Sequence, residues 1–200
     1  MEKLMEKVKG IGSRLYWWSS KRKDRLVRPI VESLARLGVH AYLLTLISFI
    51  SGMLGVIFLF RDNGLFVTFM VLHLFFDNLD GAMARHKGTT TELSSYADTL
   101  CDRSVNAFFF IKLYLVFETD KTLQLIVLFF IFSLVYFISN ARNHTAKRHF
   151  IFGPVYYMYL LAAINLIELG IVIGWWHYIV AIAYLLGSTG RDLARRNHNV

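Results

Sequence analysis

The sequence predicts an all-α integral membrane protein, with six transmembrane helices preceded by a cytoplasmic amphipathic juxtamembrane helix. Three observations predict it. First, 56% of the 200 residues are hydrophobic and only 18% charged, where soluble domains average about 25% charged. With a mean hydropathy of +0.46, a soluble chain of this size has too little interior to hide so much Phe, Leu and Ile. Second, long runs lack Asp, Glu, Lys and Arg altogether. Third, the cations fall almost entirely between alternate runs.

Composition also excludes whole classes. One Cys rules out a disulfide scaffold and two Pro rule out a collagen-like fibre. A net charge of +8 on a soluble chain would suggest nucleic acid. On a chain this apolar it points to an anionic membrane surface or phosphate-bearing ligands, with no nucleic-acid partner.

The N-terminal segment, 1–37, is basic. Leu26, Val27, Ile30, Val31, Leu34 and Leu37 recur at helical spacing among charged residues, the pattern of an amphipathic helix on the cytoplasmic leaflet. Trp17 and Trp18 suit interfacial anchors, and Pro29 suits a helix start or a kink. The charged stretch is too long for a cleavable signal.

A six-span membrane domain is expected over 38–193, followed by a basic tail, 194–200. Gly38–Phe60, Thr122–Ala141, His149–Ile167 and Leu169–Gly190 are free of charge. Each is about 20 residues long, enough to cross ~30 Å of hydrocarbon. Gly64–Arg85 and Ser95–Phe117 have the length but carry charges. Ten Lys or Arg precede Gly38, and with those after the second, fourth and sixth spans one side holds 18, against Arg61 and Lys121 on the other. The positive-inside rule then puts both termini in the cytoplasm of a multi-pass cell-membrane protein.

Charges within hydrocarbon cost at least ~2.5–3.5 kcal/mol each and mark functional positions. Asp77 and Asp80 are three apart, and Asp98 and Asp102 four apart, so each pair shares a helix face. Counted from the cytoplasmic ends of their helices, Asp77 and Asp80 lie roughly 8–12 Å deep and Asp98 and Asp102 about 6–12 Å. A short loop between antiparallel neighbours sets all four at one level. Four such charges require cations, and oxygen-only ligands suit magnesium or manganese. Two metals could be held, clamping a phosphoryl group. Gly81 and Arg85 suit a phosphate-bearing ligand. These residues alone also fit an ion or proton pathway of a transporter, or salt bridges to Arg85, Arg103 and Lys112.

The spacing Asp77-x2-Asp80-Gly81-x2-Ala84-Arg85-x8-Ser94-x3-Asp98-x3-Asp102 resembles the signature of the CDP-alcohol phosphotransferases (CDP-alcohol phosphatidyltransferases), D-x2-D-G-x2-A-R-x8-G-x3-D-x3-D. Ser94 alone departs from it. The Asp-rich membrane prenyltransferases are a rival resemblance, but they lack the glycine and the Ala-Arg pair. The family resemblance implies attack of an alcohol hydroxyl on a CDP-linked lipid donor such as CDP-diacylglycerol, with release of CMP, in phospholipid synthesis. It implies Asp77, Asp80, Asp98 and Asp102 as ligands of two divalent ions, Asp102 also as general base, and Gly81, Arg85, Thr91 and Thr45 at the donor. It implies a homodimer too.

Upstream, a Gly-x-Thr-Pro-Asn-x-x-Thr-like run keeps only Gly38 and Thr45. The stretch Phe76–Arg103 looks most like the inositol-phosphate type, although the Lys-Ala-Arg-Ala-Glu-like run after the fourth span keeps only Ala141 and Arg142. Arg142, Lys147, Arg148 and Arg191 are candidates for the phosphate of a small polar acceptor such as inositol phosphate or glycerol phosphate.

Other residues read as structure. Cys101 suits packing. His40, His73, His86, His144 and His149 have no spacing partner for a metal, and Phe129, Phe130, Phe132 and Phe137 suit a lipid-facing or subunit surface.

Overall fold

The computed structural model describes residues 27–89, 92–143 and 155–197, with side chains at 27–89, 96–138 and 155–187. All regular structure among the described residues is helical. The segments are α1 (27–36), α2 (Ala41–Phe58), α3 (Asn63–Lys87), α4 (Glu92–Phe117), α5 (Asp120–Asn143), α6 (Val155–Ala163) and α7 (Ile167–Asn197). Among the described residues, those from 27 to 112 form one compact unit and those from 113 to 197 belong to a second.

Among the described residues, four helices are long and apolar enough to cross a bilayer: Ala41–Phe58, Asn63–Lys87, Asp120–Ile138 and Ile167–Gly187. They coincide with the first, second, fourth and sixth expected spans. At 26 residues α4 has the length of the third, but Asp98, Asp102, Arg103 and Lys112 reduce its apolarity. Of the fifth, residues 149–154 lie outside the described residues, and α6 supplies nine. Helix α7 continues through Gly190 to Asn197 without a break.

In the first unit, α2 and α3 form a hairpin closed by small residues. Ser48, Ser51, Gly52 and Gly55 are all buried on α2. A Cβ on Gly52 would stand 2.8 Å from the Val105 methyls of α4, and one on Gly55 would collide with the Met70 side chain of α3. Where lipid is as apolar as the side chains, such close approach of backbones is what favours helix association.

The helix ends are satisfied locally. Asp62 caps α3, its carboxylate accepting from Leu65 N–H at 2.9 Å. Gly88, at φ 64°, closes the same helix in the left-handed conformation. Lys112 of α4 donates from Nζ to the Val56 and Ile57 carbonyls, both at 2.6 Å. Its charge thereby meets the negative end of α2. At the other end of α2, Lys87 Nζ donates to the Val39 carbonyl at 2.6 Å.

Helix α1 is amphipathic, but its apolar face is divided. Val31, 2% exposed, packs with Leu44, Leu79, Ala82 and Met83 of α2 and α3, whereas Ile30 and Leu37 stay exposed. Trp17, Trp18 and Leu26 lie outside the described residues. On its polar face Arg28 Nε donates to Glu32 Oε1 at 2.7 Å. That hydrogen bond, with the Arg28 charge, holds the Glu32 carboxyl below its ordinary pKa.

In the second unit, α7 packs on α5 and α6. Tyr178 is fully buried, with the rings of Phe129 and Phe132 at 6.4 and 5.5 Å from its own. The phenylalanines expected on a lipid or subunit surface are therefore split. Phe130 is 53% exposed, whereas Phe129 and Phe132 are core.

Candidate active site

The carboxylates come together on α3 and α4, wholly within the first unit. Asp77 and Asp80 occupy successive turns of α3, and Asp98 and Asp102 successive turns of α4. Asp77, Asp98 and Asp102 each bring a carboxylate oxygen within 4.8 Å of the others. Because the helices run in opposite directions, Asp102 faces Asp77 and Asp98 faces Asp80.

Asp80 is the most enclosed, at 3% exposure. Both of its carboxylate oxygens are shielded from solvent without a hydrogen-bond donor. A buried carboxylate in that condition is costly, and it is the oxygen donor that a hard divalent cation takes. The residues present therefore fit a metal centre. Thr45, on the second turn of α2, flanks the Asp80 carboxylate, and its hydroxyl donates to the Ala41 carbonyl at 3.3 Å.

Gly81 and Arg85 are joined geometrically. A Cβ on Gly81 would lie 3.3 Å from Arg85 Nη1, so the guanidinium folds back over the glycine, one turn from Asp80. A side chain at 81 would make the guanidinium shift by a few tenths of an ångström. Arg85 itself is exposed at the end of α3, where it can turn its fork toward an anion.

The remaining candidates divide by position. Ser94 lies on α4, Arg142 on α5 and Arg191 on α7 by backbone, with side chains outside the described residues. Thr91, Lys147 and Arg148 are themselves outside the described residues. Lys112, weighed above as an ion-pair partner of the aspartates, instead serves the carbonyls of α2.

Sequence reasoning missed one cluster beside the site. His73 is 4% exposed and bonded to Ser48, which shares no local spacing with it. The detectable signal was the run of small residues on α2, Ser48, Ser51, Gly52 and Gly55, at helical intervals.

An acidic centre held between helices of a membrane-embedded bundle, with a glycine and an arginine at its rim, defines the class. The family model described as CDP-alcohol phosphatidyltransferase matches residues 39–186, and the chain belongs to that family. Among curated relatives, the phosphatidylinositol phosphate synthase of Mycobacterium tuberculosis (strain ATCC 25618 / H37Rv) is 34% identical over 93 residues, 46% of this chain and 43% of that protein. The phosphatidylinositol phosphate synthase of Mycobacterium marinum is 36% identical over 81 residues, 40% of this chain and 35% of that protein. This chain thus spans less than half the length of the curated relatives it matches. The fold is similar to the crystal structure of the Mycobacterium tuberculosis phosphatidylinositol phosphate synthase in complex with manganese and citrate. The TM-score is 0.61 at 20% identity, covering 80% of this chain and 87% of that one.

Proposed function

We propose that this chain transfers a phosphatidyl-type group from a CDP-linked lipid, CDP-diacylglycerol or an ether equivalent, to the hydroxyl of inositol phosphate, releasing CMP. The observation that carries the reading is the meeting of Asp77 with Asp102 and of Asp80 with Asp98 at one level of α3 and α4, beside Arg85. Family membership favours it over ion transport or prenyl transfer as the use of the same carboxylates. The relatives' names favour inositol phosphate over glycerol phosphate as acceptor.

Two divalent ions, magnesium or manganese, held by Asp77, Asp80, Asp98 and Asp102, would neutralise phosphate charge and stabilise the charge that develops in transfer. Arg85 binds the donor diphosphate as a fork of N–H donors. Gly81 leaves the space into which the diphosphate and the guanidinium fit, and Thr45 and Thr91 border the donor. Asp102 accepts the proton of the acceptor hydroxyl as its oxygen bonds to the lipid-bearing phosphorus. The bond from that phosphorus to the bridging oxygen breaks, and CMP departs. Arg142, Arg148 and Arg191 bind the acceptor phosphate.

The reading includes six spans, with α4 and the region of α6 as the third and fifth, both termini and the site on the cytoplasmic side, and α1 at the interface. It includes a catalytic domain over 38–193 between a basic N-terminal segment and a basic tail, and a homodimer. The test is CMP release from CDP-diacylglycerol by the purified protein with manganese or magnesium. Inositol phosphate, glycerol phosphate, inositol and serine would be offered in turn, with Asp102→Asn as control. Metal-dependent release with inositol phosphate, lost in the variant, is expected. Equal release by Asp102→Asn would overturn the assignment.

A further inference from the structure

One turn below the carboxylate layer, three helices meet at a single node. His73 stands four residues before Asp77 on α3, Val105 three residues after Asp102 on α4, and Ser48 three residues after Thr45 on α2. Each offset is about 4.5–6 Å along its helix, and the alternating chain directions place all three on the same side of the layer. The node therefore underlies the metal and donor groups.

Its hydrogen bonds are reciprocal. Ser48 Oγ donates to the His73 backbone carbonyl at 3.0 Å. His73 Nδ1 lies 2.9 Å from Ser48 Oγ and 3.1 Å from the Ser48 carbonyl. A carbonyl only accepts, so Nδ1 carries a proton and donates. Bonds in both directions between the same two residues fix the axial register of α3 against α2. Gly52 sets the third helix: a Cβ there would stand 2.8 Å from the Val105 methyls and 3.1 Å from His73 Nδ1. Only a residue without a side chain lets α4 come this close.

We infer that Ser48, Gly52 and His73 are positioning residues that set the height and spacing of Asp77 against Asp102, and so the metal affinity of the centre. The inference rests on the metal-centre reading above. It goes beyond it by assigning to a buried Ser–His pair on α2 and α3 the role that outer-shell partners play in metal sites, where their loss weakens affinity by about 10–100-fold. None of the three is among the residues assigned to metal or substrate; they act through the helices that carry the aspartates.

The experiment measures manganese binding by electron paramagnetic resonance on the protein in detergent micelles, beside its thermal unfolding and its turnover. Ser48→Ala and His73→Leu are expected to weaken manganese binding about tenfold or more, with unfolding temperatures, measured without metal, close to wild type. His73→Asn places an amide donor where Nδ1–H stood and is expected to restore most of the affinity, a rescue that packing alone does not provide. Gly52→Ala is expected to weaken binding as well, through displacement of α4. Wild-type affinity in both Ser48→Ala and His73→Leu would overturn the inference and leave the metal centre standing. Wild-type binding no tighter than that of Asp98→Asn would overturn the metal centre itself, and the inference with it.

Discussion

Trp175 donates its indole Nε1–H to Gln124 Oε1 at 2.8 Å, tying α7 to α5. Hydrogen bonds between membrane helices average only about 0.6 kcal/mol, with a maximum near 1.7. Trp175→Phe and Gln124→Leu are each expected to lower stability modestly. Their double-mutant cycle should show coupling of about 0.5–2 kcal/mol, measured by unfolding in mixed micelles. Turnover should be unchanged, because neither residue belongs to the acidic site.

Asp102→Asn keeps the shape of the side chain and removes its basicity. General-base groups contribute about 10²–10⁴-fold, so CMP release should fall by at least a hundredfold. Donor binding, followed with radiolabelled CDP-diacylglycerol, should change far less. Loss of both together would show that Asp102 serves binding rather than proton removal.

With metal held by the clustered carboxylates, stability is expected to depend on metal. At a manganese concentration of 100 Kd the folded state gains about 2.7 kcal/mol, seen as a higher unfolding temperature that a chelator reverses. The sign inverts for Asp98→Asn: with chelator present it should unfold at a higher temperature than wild type, since one of the crowded acidic groups is gone. With manganese present it should unfold at a lower one. A calorimetric scan in each condition decides both.

Arg85→Lys retains the charge but not the planar fork. Hydrogen bonds to charged groups are worth about 1.5–3 kcal/mol, so losing one raises the KM for the CDP-linked donor roughly ten- to a hundredfold, with the KM for acceptor little altered. Gly81→Ala should act in the same direction, because its methyl would press on Arg85 Nη1 at 3.3 Å. Steady-state kinetics with each substrate varied in turn separates the two effects.

The acidic site was legible in the sequence because it is written in local spacings. Offsets of three and four put Asp77 with Asp80 and Asp98 with Asp102 on single faces, and the rise of a helix put them at one depth. Contacts between helices are not written that way. Ser48 and His73 lie 25 positions apart, and nothing near either names the other. Hydropathy could not separate buried Phe129 from exposed Phe130 either, because lipid and protein interior are equally apolar and leave no contrast to read. The destination of Lys112 was hidden for a third reason: its acceptors are backbone carbonyls, which every residue possesses.

The α2–α3 hairpin has a consequence for how the protein is made. Its two helices are joined by a short turn and closed by small residues, and both are apolar enough to enter a bilayer. By the same measure α4 is not; it carries half of the acidic centre and arrives later from the ribosome. Its insertion is therefore expected to depend on the hairpin already waiting, with Gly52 open to Val105 and the end of α2 ready to receive Lys112. The aspartates make their own helix a poor traveller, and the preceding pair of helices is expected to act as its chaperone into the membrane.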